Sequence, residues 1–136
     1  MTVTKSVLVN DGGAPARIIN FEASENMTAG TAMEITSAGK VAMAVTQSVN
    51  PAGFLLVDAT NGDLASVVTG SGVVLHAHVD GTTDVDAGVG LKVGEDGALM
   101  KRATVDDTAV AIALEAVTAT AAANVTAGAL FKVLVK

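Results

Sequence analysis

The chain predicts an all-β domain, a sandwich or barrel of short strands with little helix, and three observations carry that prediction. Glycines punctuate it from Gly30 to Gly128, many at the roughly 8–12-residue rhythm of such folds. Between them, apolar residues alternate with a period of two. The breaks also carry turn chemistry: Ser37-Ala-Gly39, Asn61-Gly-Asp63, Asp80-Gly81 and Glu95-Asp-Gly97 each supply a residue that tolerates positive φ or bonds its own backbone.

In chain order, residues 1–16 are expected as an extended N-terminal arm. Val3, Val7 and Val9 give only a sparse alternation there, ending in the breaker cluster Asn10-Asp-Gly-Gly-Ala-Pro-Ala16. Residues 17–136 form the single β domain. Strands are expected at 17–22, 31–36, 40–46, 53–57, 64–69, 73–79, 90–93, 98–102, 109–116 and 130–135. Val41, Met43 and Val45 share one strand face; Val110, Ile112 and Leu114 share another, opposite Ala109, Ala111 and Ala113. Phe131, Val133 and Val135 face inward while Lys132 and Lys136 face water. Small alanines opposite large aliphatics suit either a close approach by a neighbouring element or a plain sheet edge. Residues 117–129, with Thr118-Ala-Thr-Ala-Ala-Ala123, read as helical turn or loop, and no cap decides between them.

A chain of 136 residues matches one domain of about 100–150 residues. Half of it is apolar, yet Phe21, Phe54 and Phe131 are its only aromatics, so the core is thin in large anchors. Subunit contacts are therefore expected to share in its stability. It has no cysteine, which excludes disulfides, thiolate metal sites and cysteine nucleophiles. The formal charge of −6 and scattered basic residues, of which only Lys101 and Arg102 adjoin, argue against nucleic acid. No apolar run approaches the ~20 residues of a membrane helix. The first residues lack a signal-peptide pattern, so synthesis in a host cytoplasm is expected.

Candidate chemistry is sparse. His76 and His78 stand at i and i+2, which places both imidazoles on one strand face, with Asp80 next as a possible third metal ligand. Ordinary polar positions on a half-buried strand account for them more simply. Asp80-Gly-Thr-Thr-Asp-Val-Asp86 gathers three carboxylates but not in EF-hand spacing, so it reads as a solvated acidic loop rather than a calcium site. Asp106-Asp107 and Glu95-Asp96 read the same way. No Gly-x-Ser-x-Gly elbow accompanies the Ser, His and Asp residues. Gly88-Val-Gly90 lacks the following helix of a phosphate loop. The sequons Asn26-Met-Thr28 and Asn124-Val-Thr126 have no secretory context. The absence of Trp and Tyr weakens carbohydrate subsites. No catalytic, cofactor-binding or metal residues are assigned, and the protein is expected not to be an enzyme.

Glycine and small-apolar motifs run in order along residues 18–135: Met27-Thr-Ala-Gly-Thr-Ala-Met-Glu-Ile35 and Ala38-Gly-Lys-Val-Ala-Met-Ala44 first. Asn61-Gly-Asp-Leu-Ala-Ser-Val-Val-Thr-Gly70 with Gly72-Val-Val-Leu-His-Ala-His-Val79 comes next. Ala87-Gly-Val-Gly-Leu-Lys-Val93, Asp96-Gly-Ala-Leu99, Ala109-Val-Ala-Ile-Ala-Leu-Glu115 and Phe131-Lys-Val-Leu-Val135 follow. This order resembles the opening strands, Gly-Asp hairpin and closing strands of the small capsid decoration, or head cement, proteins of tailed bacteriophages. The resemblance implies a compact small β-barrel or β-tulip-like domain. It also implies a homotrimer on the outer surface of the expanded head, bound to the major capsid protein and stabilising contacts between capsomers. The arm would reach the shell, with Val3, Val7, Val9, Ile18 and Ile19 as its expected contacts. The alternative is a receptor- or glycan-binding β-module of a viral fibre or adhesin. A further alternative is a metalloprotein built on His76, His78 and Asp80.

Overall fold

The computed structural model describes residues 7–10, 17–45, 48, 51–79, 84–102, 108–117 and 130–136. These residues form eleven strands and one short 3-10 turn: β1 (Leu8–Asn10), β2 (Arg17–Glu22), β3 (Ala32–Ile35), β4 (Val41–Met43), β5 (Gly53–Leu55), β6 (Leu64–Thr69), β7 (Val74–His78), β8 (Gly90–Val93), β9 (Leu99–Lys101), β10 (Ala111–Ala113) and β11 (Leu130–Val135), with the turn at Glu95–Gly97. Every strand expected from the alternation is present: four keep their expected limits and six are shorter by one to three residues at an end. Residues 118–129, left open between helix and loop, lie outside the described residues, as do residues 1–6 and 11–16 of the expected arm.

The strands make two antiparallel sheets, ordered β1-β7-β11-β10-β8-β9 and β2-β6-β5-β3-β4. A further bridge draws each of them round. At the end of β7, Val79 bridges Leu99 of β9, and just past β2, Ala23 bridges Val41 of β4. Two seams of this kind make the domain barrel-like, as the glycine rhythm and alternation predict.

The middle of the five-stranded sheet, around β3, β5 and β6, is buried on both faces, and strand alternation explains how. Ala32, Phe54 and Val68 face the six-stranded sheet and join Leu75, Ala77, Leu91, Val93, Leu99, Ala111, Ala113 and Val133 in the main core. Their neighbours Met33, Leu55 and Val67 point the other way, into a smaller core with Ala23, Met27, Val41, Ala59 and Ala65. The Met27–Ala59 bridge closes the end of that smaller core. Phe54, the largest fully buried side chain, sits where the sheets meet.

The sheets are sewn together by backbone at Gly30. Its N–H donates to Leu55 and its carbonyl accepts from His78, at 2.8 and 2.9 Å. A Cβ there would come within 2.8 Å of Leu130 Cδ2, and the residue has φ +88°, so only glycine makes this crossing without strain. In the turn after β8, Asp96 and Gly97 both adopt positive φ, at 53° and 75°. That is the conformation the Glu95-Asp-Gly97 signal anticipates.

Candidate functional site

The expected contact residues fall in three different environments. Val7 is buried in the main core, and its carbonyl accepts the His76 N–H at 2.7 Å. It is therefore held within this chain's own body. Val9 lies in β1, which pairs antiparallel with β7 at the edge of the six-stranded sheet. Part of the stretch expected as an arm is thus an edge strand. Val3 lies outside the described residues. Ile18 and Ile19 are on β2, 51% and 43% exposed.

β2 is the feature these residues mark. It is the first strand of the five-stranded sheet and pairs in unbroken register with β6, from Arg17↔Thr69 to Glu22↔Leu64. Every residue in it except the half-buried Phe21 is exposed. Which backbone groups point outward follows from the ladder. Ala23 donates to Asp63 at 2.8 Å, continuing that register, while Ser66 directs its carbonyl the other way, to Leu56. Bonded and non-bonded pairs alternate in antiparallel sheets, so Arg17, Ile19 and Phe21 bond to β6. Ile18 and Asn20 therefore aim both N–H and C=O away from the sheet. Among the described residues no backbone bond is made to either on that side.

The open stretch has a definite limit. Past Phe21 the curled sheet brings β4 alongside: Lys40 Nζ lies 3.5 Å from Glu22 Oε1, and Ser24 N–H bonds Val41 O at 2.9 Å. The outer side of β4 is capped in turn by Glu25, whose Oε2 accepts the Met43 N–H at 3.0 Å. Unpaired apolar edges attract other strands, and charge, proline or a bulge usually blunts them. Residues 18–20, Ile-Ile-Asn, carry none of these.

The other candidates are placed as follows. His76 and His78 share the outer face of β7, as i and i+2 require; His76 is half-buried and His78 buried. Their cross-strand neighbours on β11 are Lys132 and Leu130. Asp80 lies outside the described residues, among which no three ligating side chains converge. Of the acidic loop, Asp84 and Asp86 are exposed. A cleft of about 470 Å³ opens between the sheets, lined by Pro51, Phe54, Val68, Thr108 and Val110, with Lys136 its one charged side chain among the described residues.

Sequence reasoning singled out Ile18 and Ile19 but missed Asn20 and Phe21, which complete the edge. Periodicity tells which face a side chain takes. It does not tell which strand ends a sheet, and the cleft left no sequence signal.

No family model matches the chain, and no curated protein matches it in sequence. Among solved structures it is similar in fold to the head fiber gp8.5 N base of bacteriophage phi29, with a TM-score of 0.67 at 18% identity. The match covers 90% of this chain and 95% of that one, so nearly the whole of both shares one architecture.

Proposed function

We propose that this protein is a structural component of a bacteriophage virion that sits on the outer surface of the head, where it binds the major capsid protein and stabilises contacts between capsomers. The observation that carries this reading is the nearly end-to-end fold likeness to a head fiber base. The order of glycine and small-apolar motifs over residues 18–135 points to the same class. The role is one of protein contact, without catalysis or cofactor. Ile18 and Ile19 offer exposed apolar groups for protein contact of this kind or between copies of the chain.

The test is to mix the purified protein with emptied, expanded heads, separate the bound fraction by sedimentation and image it by electron microscopy. Copies at regular positions on the head exterior are expected. Heads that stay bare under saturating protein would end the proposal. Removing residues 1–15 also takes Val7 from the core, so an arm deletion tests stability as much as attachment.

A second reading has an observation of its own, because the similar structure is the base of a fiber. In that reading the domain anchors a projecting element to the head and need not clamp capsomers. Heat release of packaged genome separates the two. A cement protein raises the temperature at which decorated heads leak, whereas a fiber base leaves it unchanged.

A further inference from the structure

We propose that two copies of this chain pair antiparallel through β2, about a twofold axis centred on Ile19, joining their five-stranded sheets into one. The outward-facing groups and the strand's own sequence carry this.

A twofold antiparallel pair keeps the two sheet faces aligned, so residues facing one another must be equivalent in parity. Ile18 and Asn20 are the residues of β2 whose N–H and C=O groups face away from β6, and among the described residues no backbone group bonds them there. A single register pairs both at once: Ile18 with Asn20 of the second copy, and Asn20 with its Ile18. Each pair exchanges both of its bonds, and the strand is its own partner. Moving the register toward Glu22 drives the second copy into Lys40 and Val41, which already flank the strand there.

The side chains agree with this register. Ile19 meets Ile19 at the axis as a non-bonded pair, the closer of the two kinds. On the same face Arg17 meets Phe21, whose ring already packs on the smaller core. A guanidinium over an aromatic face is a favourable contact. Charge selects the direction. β2 begins with Arg17 and ends at Glu22, near Glu25 and Asp63. Antiparallel pairing brings each Arg17 near an acidic end, where Glu22 already meets Lys40, whereas parallel pairing sets Arg17 beside Arg17. Each partner also covers the other's Ile19, which the isolated chain leaves in water.

Solution measurements without heads test this independently of the capsid reading. In sedimentation over a wide concentration series, mass rises from one chain toward two. Amide exchange gives the signature: Ile18 and Asn20 gain protection as concentration rises, while Ile19 and Phe21 are protected throughout. Asn20→Pro, which removes an outward donor but no backbone bond to β6, weakens the association about tenfold or more. Ile18→Lys does the same without altering the backbone.

The protein has no cysteine, so Ile19→Cys adds a single thiol. At the axis the two Cα atoms stand about 4.5 Å apart, within disulfide reach, and oxidation is expected to give a covalent two-chain product. A chain that stays single at all concentrations overturns the proposal. So does a closed three-chain assembly, which a twofold pairing that uses the same edge on both copies cannot build. Failure of Ile19→Cys to cross-link within an established dimer also overturns this register.

Discussion

Two stretches of the same chain, residues 18–20 and 23–25, reach the outer side of a sheet and meet opposite conditions there. At 23–25 the chain is a seam. Ala23 bridges Val41, Ser24 gives both its N–H and its hydroxyl to the Val41 carbonyl, and Glu25 takes the Met43 amide. At 18–20 the backbone points outward and the described chain offers it nothing. The seam spends polar side chains on its own backbone, whereas the open stretch carries two isoleucines. Since unpaired strand edges are association hazards that natural sequences blunt, this difference is read as function. Among the described residues the chain closes the edge at 23–25 and leaves the one at 18–20 without a backbone partner, the edge that the proposed pairing would use.

A proline walk along β2 breaks this contrast most sharply. The Ile19 N–H bonds to β6, so Ile19→Pro removes a ladder bond and forces the ring against the neighbouring strand. We expect a loss of about 3 kcal/mol. Asn20→Pro removes only an outward donor and the side-chain oxygen that accepts from Ser66 at 2.9 Å. Its cost is expected to stay below about 1 kcal/mol. Urea unfolding of the two variants at low concentration measures both. Equal costs would mean that the assignment of inward and outward residues is wrong.

The seam responds next. Glu25→Ala leaves the half-buried Met43 amide without its carboxylate acceptor, at a cost of about 1–2 kcal/mol. Glu25→Gln keeps an oxygen in place and should recover about half of that. Exchange of the Met43 amide should quicken in the order wild type, Gln, Ala. If Met43 exchanges at one rate in all three, Glu25 is not what closes the edge.

The same contrast shows what was legible in the sequence. β2, β6, β8 and β11 were read with their observed limits, because each is a clean alternation bounded by turn residues. The shorter β4 and β10 are expected several residues longer: Ala44, Val110 and Leu114 continue the alternation and still donate across, to Ala32, Leu91 and Lys132, but they lie just past the strand ends. β1 was read as an arm, since three residues after a sparse valine pattern carry too little periodicity to declare a strand. The exposed pair Ile18 and Ile19 was picked from hydrophobicity. That β2 is an edge, with no described strand beside it as far as Phe21, depends on strand order. Long-range pairing sets that order, and no local pattern encodes it.

Ile18→Lys probes the open stretch from the side chain. Ile18 is half in water and pairs across to Val68, so the change should alter unfolding free energy by no more than about 0.5 kcal/mol. Its effect should appear in association instead, which separates an edge kept for contact from one that supports the fold. A loss of stability well beyond that figure would move Ile18 from the contact surface to the core of the argument about folding.

The smallest effect is expected at the boundary between the two stretches, where Glu22 and Lys40 lie 3.5 Å apart with side chains 50% and 40% exposed. An exposed pair gives up side-chain entropy and is screened by salt, so a double-mutant cycle on Glu22→Ala and Lys40→Ala should yield about 0.5 kcal/mol or less, fading as salt rises. The comparison with Glu25 is informative because both are glutamates beside β4. Glu25 satisfies a backbone amide that is otherwise stranded, whereas Glu22 reaches another solvated side chain. If the Glu22–Lys40 coupling instead equalled the loss at Glu25, side-chain charge rather than backbone satisfaction would be holding the seam. The bare backbone at Ile18 and Asn20 would then no longer mark the difference between the two stretches.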